Sequence, residues 1–411
     1  MRLPHHAGPL LSTTLKHPSL SLPSEAQPAS AAGAGPSAFR PPLLLPAAIL
    51  LAVAALSFAF WPQIRWHLQA LTVLMGINGD SIPRPLQLVA DAPVLVVDTT
   101  IPGVHGPFPG RLYRPQGIAA PPAVVLVHGL YYMGMDAPDL TSYARRLAAC
   151  GMLVLTPDLA QLRDDRIDGS SIDSIGDSVR WLAAQSHAPV GLMAMSFSGA
   201  LSLLAAARPE NQPSVRFVFV SGTYDSLPRV IRAYAAHREP LPGGHSVPTD
   251  GNDYGSLAIE YAYVDHVVPP ADRAAVQGVI RARLQRHKRL ALQLESALTA
   301  IQTAEMIQLQ SPDTLRRAAT DLGPGLDSLS PRNQLSAFRA PVFVLHGSDD
   351  PIIPTGEAAW LVRDLPPGVL RARLISPIFA HAGIGVETHR WKDRWQLVHF
   401  FAQVLRTAEA G

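Results

Sequence analysis

Gly191-Leu-Met-Ala-Met-Ser-Phe-Ser-Gly-Ala-Leu-Ser-Leu-Leu204 joins two apolar runs through a serine. Upstream, Val190 to Met195 is short and apolar, the pattern of a strand buried on both faces. Downstream, Ala200 to Ala207 is rich in Ala and Leu and free of Pro, the pattern of a helix packed under a sheet. Ser196 stands at the hinge, where a sharp turn would strain its backbone and push its hydroxyl out above the sheet. Such a turn needs small residues two before and two after, and Ala194 and Ser198 stand there, followed by Gly199. Ser198 lies between Ser196 and Ala200 and fits the same small-x-Ser-x-small rule. Ser196 is preferred because the strand ends just before it, and Gly199 then falls where the helix must approach closely.

Two further segments carry matching chemistry. Ala123-Val-Val-Leu-Val-His-Gly-Leu130 is an apolar run closing on His128-Gly129. Glycine at that strand end lets the chain turn so that the N–H of Leu130 or Tyr131 points into a cleft. Paired with the N–H of Phe197, it could hold a developing oxyanion, an effect of about 3–4 kcal/mol in the transition state. His128 itself reads as a tie for this loop. Pro341-Val-Phe-Val-Leu-His-Gly-Ser-Asp-Asp-Pro-Ile-Ile-Pro354 is a similar run, now followed by acids. A carboxylate there could orient a histidine and stabilise the imidazolium. Asp350 is the choice, at a loop apex; Asp349 is the near alternative and Asp225, after Phe217 to Ser221, a more distant one.

The base must come late in the chain. His381 lies in a small-residue loop after a last strand over Arg371 to Phe379. His389 and His399 compete, but they belong to the stretch Thr388 to Thr407, where Trp391, Trp395, Val398 and Phe401 recur at helical spacing.

At these residues the chain resembles the α/β-hydrolase superfamily. Ser196, Asp350 and His381 follow the order Ser, Asp, His that this fold uses, with Ala194 to Gly199 as the nucleophile elbow. The likeness covers residues 90–225 and 338–408. Ala194 and Ser198 stand where the family usually has glycine. The resemblance implies a serine esterase or lipase-like hydrolase with a Ser196-His381-Asp350 triad, an oxyanion hole from Leu130 and Phe197, and no cofactor or metal. A serine peptidase or amidase on the same fold, and a catalytically inactive binding protein, are the alternatives.

The expected fold class is α/β: a mostly parallel sheet covered by helices on both faces. Strand–helix alternation supports this from an opening antiparallel pair, Val94 to Ile101 with Gly110 to Arg114, through Gly191 to Met195. It breaks at Tyr224 and resumes at Pro341. The intervening residues 226–337 are too long for a loop and are expected to form a helical cap inserted between strands 6 and 7. There Val276, Ile280, Leu284, Ala291, Leu294, Leu298 and Ile301 fall on one helical arc. Arg281, Arg283, Arg286, Lys288 and Arg289 scatter around that helix and read as a solvated surface.

The 411 residues are 47% hydrophobic, ample for a large core, and the net charge of +2 gives no reason to expect a nucleic-acid partner. The single cysteine, Cys150, excludes an internal disulfide framework. Residues 1–40, rich in Pro, Ser and Ala, are expected to be disordered. Residues 41–62 are apolar enough for a transmembrane or signal-anchor helix, with Trp61 and Trp66 at the interface. Arg2, Lys16 and Arg40 before the span favour a cytoplasmic N-terminus, so the catalytic domain is expected on the outer side. Residues 63–90 read as a linker, 91–225 as the first part of the core and 338–411 as the second. The implied partners are a small ester or acyl substrate and the membrane.

Overall fold

Strands of unbroken apolar residues must bury both faces, and here consecutive residues on one strand enter two different cores. The computed structural model describes residues 44–77, 79–249, 253–380, 383–384 and 390–410. It divides into two units, residues 1–56 and 57–411. In the second unit an eight-stranded sheet is built from β1 (Val94–Ile101), β2 (Phe108–Pro115), β3 (Ala123–Val127), β4 (Leu153–Pro157), β5 (Val190–Met195) and β6 (Val215–Ser221). A short hairpin, β7 (Arg238–Pro240) with β8 (Ser246–Pro248), comes next in the chain. The sheet is completed by β9 (Val342–Gly347) and β10 (Leu370–Ser376), in the order β1-β2-β4-β3-β5-β6-β9-β10. Only β2 runs against the others.

Alternation along the strands builds the two layers. Val125, Leu192, Val218 and Val344 face one core, with helices Gly169–Ser186 and Phe197–Ala207. Their neighbours Val124, Met193, Phe219 and Phe343 face the other, with helices Pro138–Ala149 and Trp391–Glu409. In that second core the rings of Phe219, Phe343, Phe400 and Phe401 meet at centroid separations of 5.6–6.2 Å.

Residues 63–90, expected as a linker, carry most of helix Trp61–Ile77, which packs on helices Pro138–Ala149 and Trp391–Glu409. It buries Ala70, Val73 and Leu74, and the buried Gln69 donates to the carbonyls of Val89 and Cys150, both at 3.1 Å. Arg65 and Trp66 both reach Glu409, Trp66 at 2.8 Å. The Cys150 thiol is buried, and burial pushes its pKa up to about 11, so it is inert as a nucleophile.

In the first unit, helix Leu44–Ala59 begins, and the described apolar side chains Ile49, Leu50, Leu51, Val53 and Leu56 are exposed. Among the described residues no single helix is long and apolar enough to cross a membrane. The consecutive pair Ile49–Ala59 and Trp61–Ile77, broken at Phe60, passes that test only jointly. Residues 1–40 lie outside the described residues.

The cap comprises helices Leu227–Ala236, Asp253–Val267, Pro270–Leu284, Lys288–Ser296, Ala300–Leu309, Pro312–Asp321 and Gly323–Ser328, together with the β7/β8 hairpin. The single arc expected over 276–301 is three helices. Arg286 takes a left-handed φ of 57° between the first two, and Thr299 opens the third through a capping box with Gln302. The apolar spacing runs across both breaks, so periodicity alone did not reveal them, and its last member, Ile301, is exposed.

Candidate active site

Ser196 follows the last residue of β5 and precedes helix Phe197–Ala207, with φ 60° and ψ −140°. A non-glycine residue in that region is strained by about 1–3 kcal/mol and persists only where its surroundings enforce it. The enforcement is visible. The Ser196 N–H donates to Ser221 O on the neighbouring strand at 2.8 Å, and Ser196 O accepts from Gly199 N at 3.0 Å. A Cβ on Gly199 would lie 2.7 Å from both Cβ and Oγ1 of Thr223, so only glycine allows that approach. Ser196 is 8% exposed. Ser198, the alternative in the same motif, is fully buried and donates its hydroxyl to Met195 O at 2.8 Å. It closes the turn and does not face the cleft.

The loop after β3 lies against this serine. A Cβ on Gly129 would stand 3.1 Å from Ser196 Cβ and 3.7 Å from its Oγ. His128 holds that loop. Its Nδ1–H donates to Gly129 O at 2.7 Å, and its Nε2 accepts the N–H of Leu159 at 3.1 Å. Accepting at Nε2 requires a neutral ring, and complete burial lowers the His128 pKa in the same sense. Tyr131 N is committed to Leu162 O at 3.2 Å. Of the two amides considered after Gly129, that leaves Leu130, which donates to no described residue; nor does Phe197 N.

Asp350 lies in the loop after β9 with its side chain fully buried. Oδ1 accepts the N–H groups of Ile352 and Ile353 at 2.9 and 3.0 Å, and Oδ2 lies 3.4 Å from His346 Nε2. Two amide donors fix the carboxylate and favour its charge. Asp349 is exposed and accepts from the Ser348 hydroxyl at 2.9 Å. Asp225 is committed elsewhere. Its Oδ2 pairs with Arg229 Nη2 at 2.7 Å, and Arg229 also holds Glu357, whose Oε2 accepts the N–H of Asp225 and Ser226 at 2.9 Å. Burial pushes Asp225 up to about 6 in spite of that cation.

His381 and His389 lie outside the described residues. The strand before residue 381, β11 (Phe379–Ala380), pairs with β12 (Gly383–Ile384), and the Phe379 carbonyl occupies the space a Cβ on Gly347 would need, three residues before Asp350. His399 is on helix Trp391–Glu409 and contacts His67 at 3.0 Å between ring nitrogens. It belongs to the docking of two helices in the second layer.

The cap is fastened to both loops. Tyr254 donates its hydroxyl to Leu130 O at 2.5 Å, and Tyr234 donates to Ile352 O. Both tyrosines line a cavity of about 1060 Å³ that also takes in His237, Glu260, Arg286 and Leu315. A second, smaller space of about 50 Å³ lies beside Phe197 and is lined in part by Asp165, which the sequence did not single out. Among the described residues no group of three or more His, Cys, Asp or Glu is arranged to hold a metal.

No protein-family model matches the chain, and no curated protein matches its sequence. Solved structures of similar shape include an esterase domain from Rhodothermus marinus, at 15% identity over 76% of this chain and 96% of that one, TM-score 0.40. A hyperthermophilic esterase from Pyrobaculum calidifontis shares 18% over 84% and 89%, TM-score 0.44. An acylaminoacyl peptidase from Pyrococcus horikoshii shares 10% over 79% of this chain and 43% of that one, TM-score 0.45. At such scores the internal evidence of strand order and turn geometry decides the question. With β2 alone reversed in the order β1-β2-β4-β3-β5-β6-β9-β10, and a strained serine leaving the middle of the sheet, this chain has the α/β-hydrolase fold.

Proposed function

We propose that the protein is a serine hydrolase that cleaves a carboxylic ester. The observation that carries this reading is the left-handed backbone of Ser196, held in strain between β5 and a helix and pressed by the loop that bears Leu130. It sets the Ser196 hydroxyl against Gly129, beside the loop that bears Leu130.

In the proposed reaction Ser196 Oγ attacks the ester carbon while His381 takes its proton, and Asp350 orients His381. The N–H groups of Leu130 and Phe197 hold the tetrahedral oxyanion. The bond to the alcohol oxygen then breaks, the alcohol leaves with the proton from His381, and an acyl-enzyme remains. Water adds by the same route in reverse, releasing the carboxylic acid and restoring the Ser196 hydroxyl. His381 is supported by chain order and by β11, which ends one residue before it beside Gly347.

Labelling with a fluorophosphonate probe tests the assignment. The wild-type protein should be labelled, and Ser196→Ala and His381→Ala should not. A folded wild type that stays unlabelled would favour a binding protein on this fold. Turnover of amides in preference to matched esters would move the assignment to a peptidase or amidase. We also propose membrane attachment through the exposed apolar residues from Ile49 to Trp61. Release of the full chain from membranes by alkaline carbonate would argue against it.

A further inference from the structure

Asp165 has no role in the chemistry above, yet its surroundings are costly. It is 3% exposed, and its backbone takes a left-handed φ of 58° just after helix Ala160–Arg163. Its Oδ2 has no hydrogen-bond partner among the described residues. Arg281, the cation whose field reaches it, donates its guanidinium to the Tyr261 hydroxyl and makes no ion pair with Asp165. Burial pushes the carboxyl up to about 7.

The space beside that carboxyl is small and otherwise apolar, about 50 Å³, walled by Phe197, Ile231, Ala258, Ile259, Leu322 and Leu326. Phe197 follows the proposed nucleophile and supplies one of the two oxyanion amides. The cap supplies Ala258, Ile259, Leu322 and Leu326. A buried polar atom without a partner calls for an occupant that supplies one, and this one lies between Phe197, the residue after Ser196, and the cap.

We propose that Asp165 is a specificity-determining residue: its carboxyl receives a hydrogen-bond donor, a hydroxyl or an ammonium, on a short arm of the substrate lodged beside Phe197. The proposal rests on the hydrolase reading and deepens it by naming the substrate class, esters that carry a polar donor a few atoms from the carbonyl. The apolar walls select a short arm, and the space admits a group of about three or four heavy atoms, since about 10–15 Å³ of it holds one water. A methyl group of the same size would leave the carboxyl unpaired and so be rejected.

The test uses the full-length protein and two series of esters. In ethyl esters, a hydroxyl, an ammonium or a methyl group stands at carbon 2, 3 or 4 of the acyl chain; in acetates, the same groups stand on the alcohol chain. p-Nitrophenyl acetate is measured first. Absence of turnover there would remove the hydrolase reading and this inference with it. With turnover present, we expect one position at which the donor-bearing ester exceeds its methyl counterpart in kcat/KM by about 10- to 100-fold, the range for a hydrogen bond to a buried charged group. Asp165→Leu should bring that ratio to one or below. Asp165→Asn, which suits a left-handed backbone and keeps an acceptor, should retain preference for the hydroxyl and lose it for the ammonium. A wild-type ratio near one at every position, or a ratio unchanged by Asp165→Leu, would overturn the proposal and leave the carboxyl as a water site.

Discussion

Replacing Asp165 by Asn should stabilise the protein, and more so at higher pH. The carboxyl is raised from its ordinary 3.8 to about 7, with burial the leading cause. The unfolded chain therefore releases this proton near pH 4, whereas the folded protein keeps it until about pH 7. Between those values the folded state binds more protons, so stability falls as pH rises, and above about pH 7 the whole penalty is present. At about 1.36 kcal/mol per tenfold change, the full penalty is about 4 kcal/mol, of which about 1.5 is already present at pH 5. Asp165→Asn removes the ionisable group and keeps the shape and the left-handed preference. The advantage of the variant over wild type, from guanidinium unfolding curves, should grow by about 2–3 kcal/mol between pH 5 and pH 8. Other titrating groups cancel in that comparison because both proteins carry them. An advantage of equal size at the two pH values would refute the assignment of a buried, unpartnered carboxyl, as would a variant less stable than wild type at pH 8.

Substitutions at three other positions give further tests. Ser196→Gly and Ser196→Ala should both abolish fluorophosphonate labelling, but Gly relieves the φ of 60° and should be the more stable by about 1–2 kcal/mol in thermal or denaturant unfolding; equal stability would mean the turn is not strained. His128→Ala leaves the buried Leu159 N–H without its acceptor. It should cost about 1–3 kcal/mol and lower kcat for ester cleavage more than it raises KM, since the loop bearing Leu130 loosens. Arg229→Ala strands Asp225 and Glu357 in the interior. It should destabilise by about 3–5 kcal/mol, whereas an unfolding midpoint close to wild type would show that the two carboxyls find other partners.

The central strands were legible in the sequence because residues buried on both faces leave no room for polar side chains. β3 and β5 are apolar throughout, and β9 is apolar until its closing His346-Gly347. The hinge serine was legible for a related reason: the turn tolerates only small neighbours. Spacing favoured Asp350 and kept Asp349 as the near alternative; the structure shows a physical difference, one held by two amides and the other in solvent. Helix Trp61–Ile77 was hidden because its docked face mixes Ala70 and Val73 with Gln69, which donates to distant carbonyls, and Thr72, which donates back to the Gln69 carbonyl. Asp165 was hidden more completely. A loop aspartate next to Asp164 reads as surface, and its burial depends on Leu322 and Leu326, which arrive from the far end of the cap. The break at Arg286 left no trace in a pattern that the next helix resumes in phase.

Two tyrosine hydroxyls join the cap to the carbonyls of Leu130 and Ile352. Ile352 also donates its own N–H to Asp350, and on the proposed reading the N–H of Leu130 serves the oxyanion. On the proposed reading, any motion that lifted the cap would release the loops of Leu130 and Asp350 together, because one hydroxyl ties it to each.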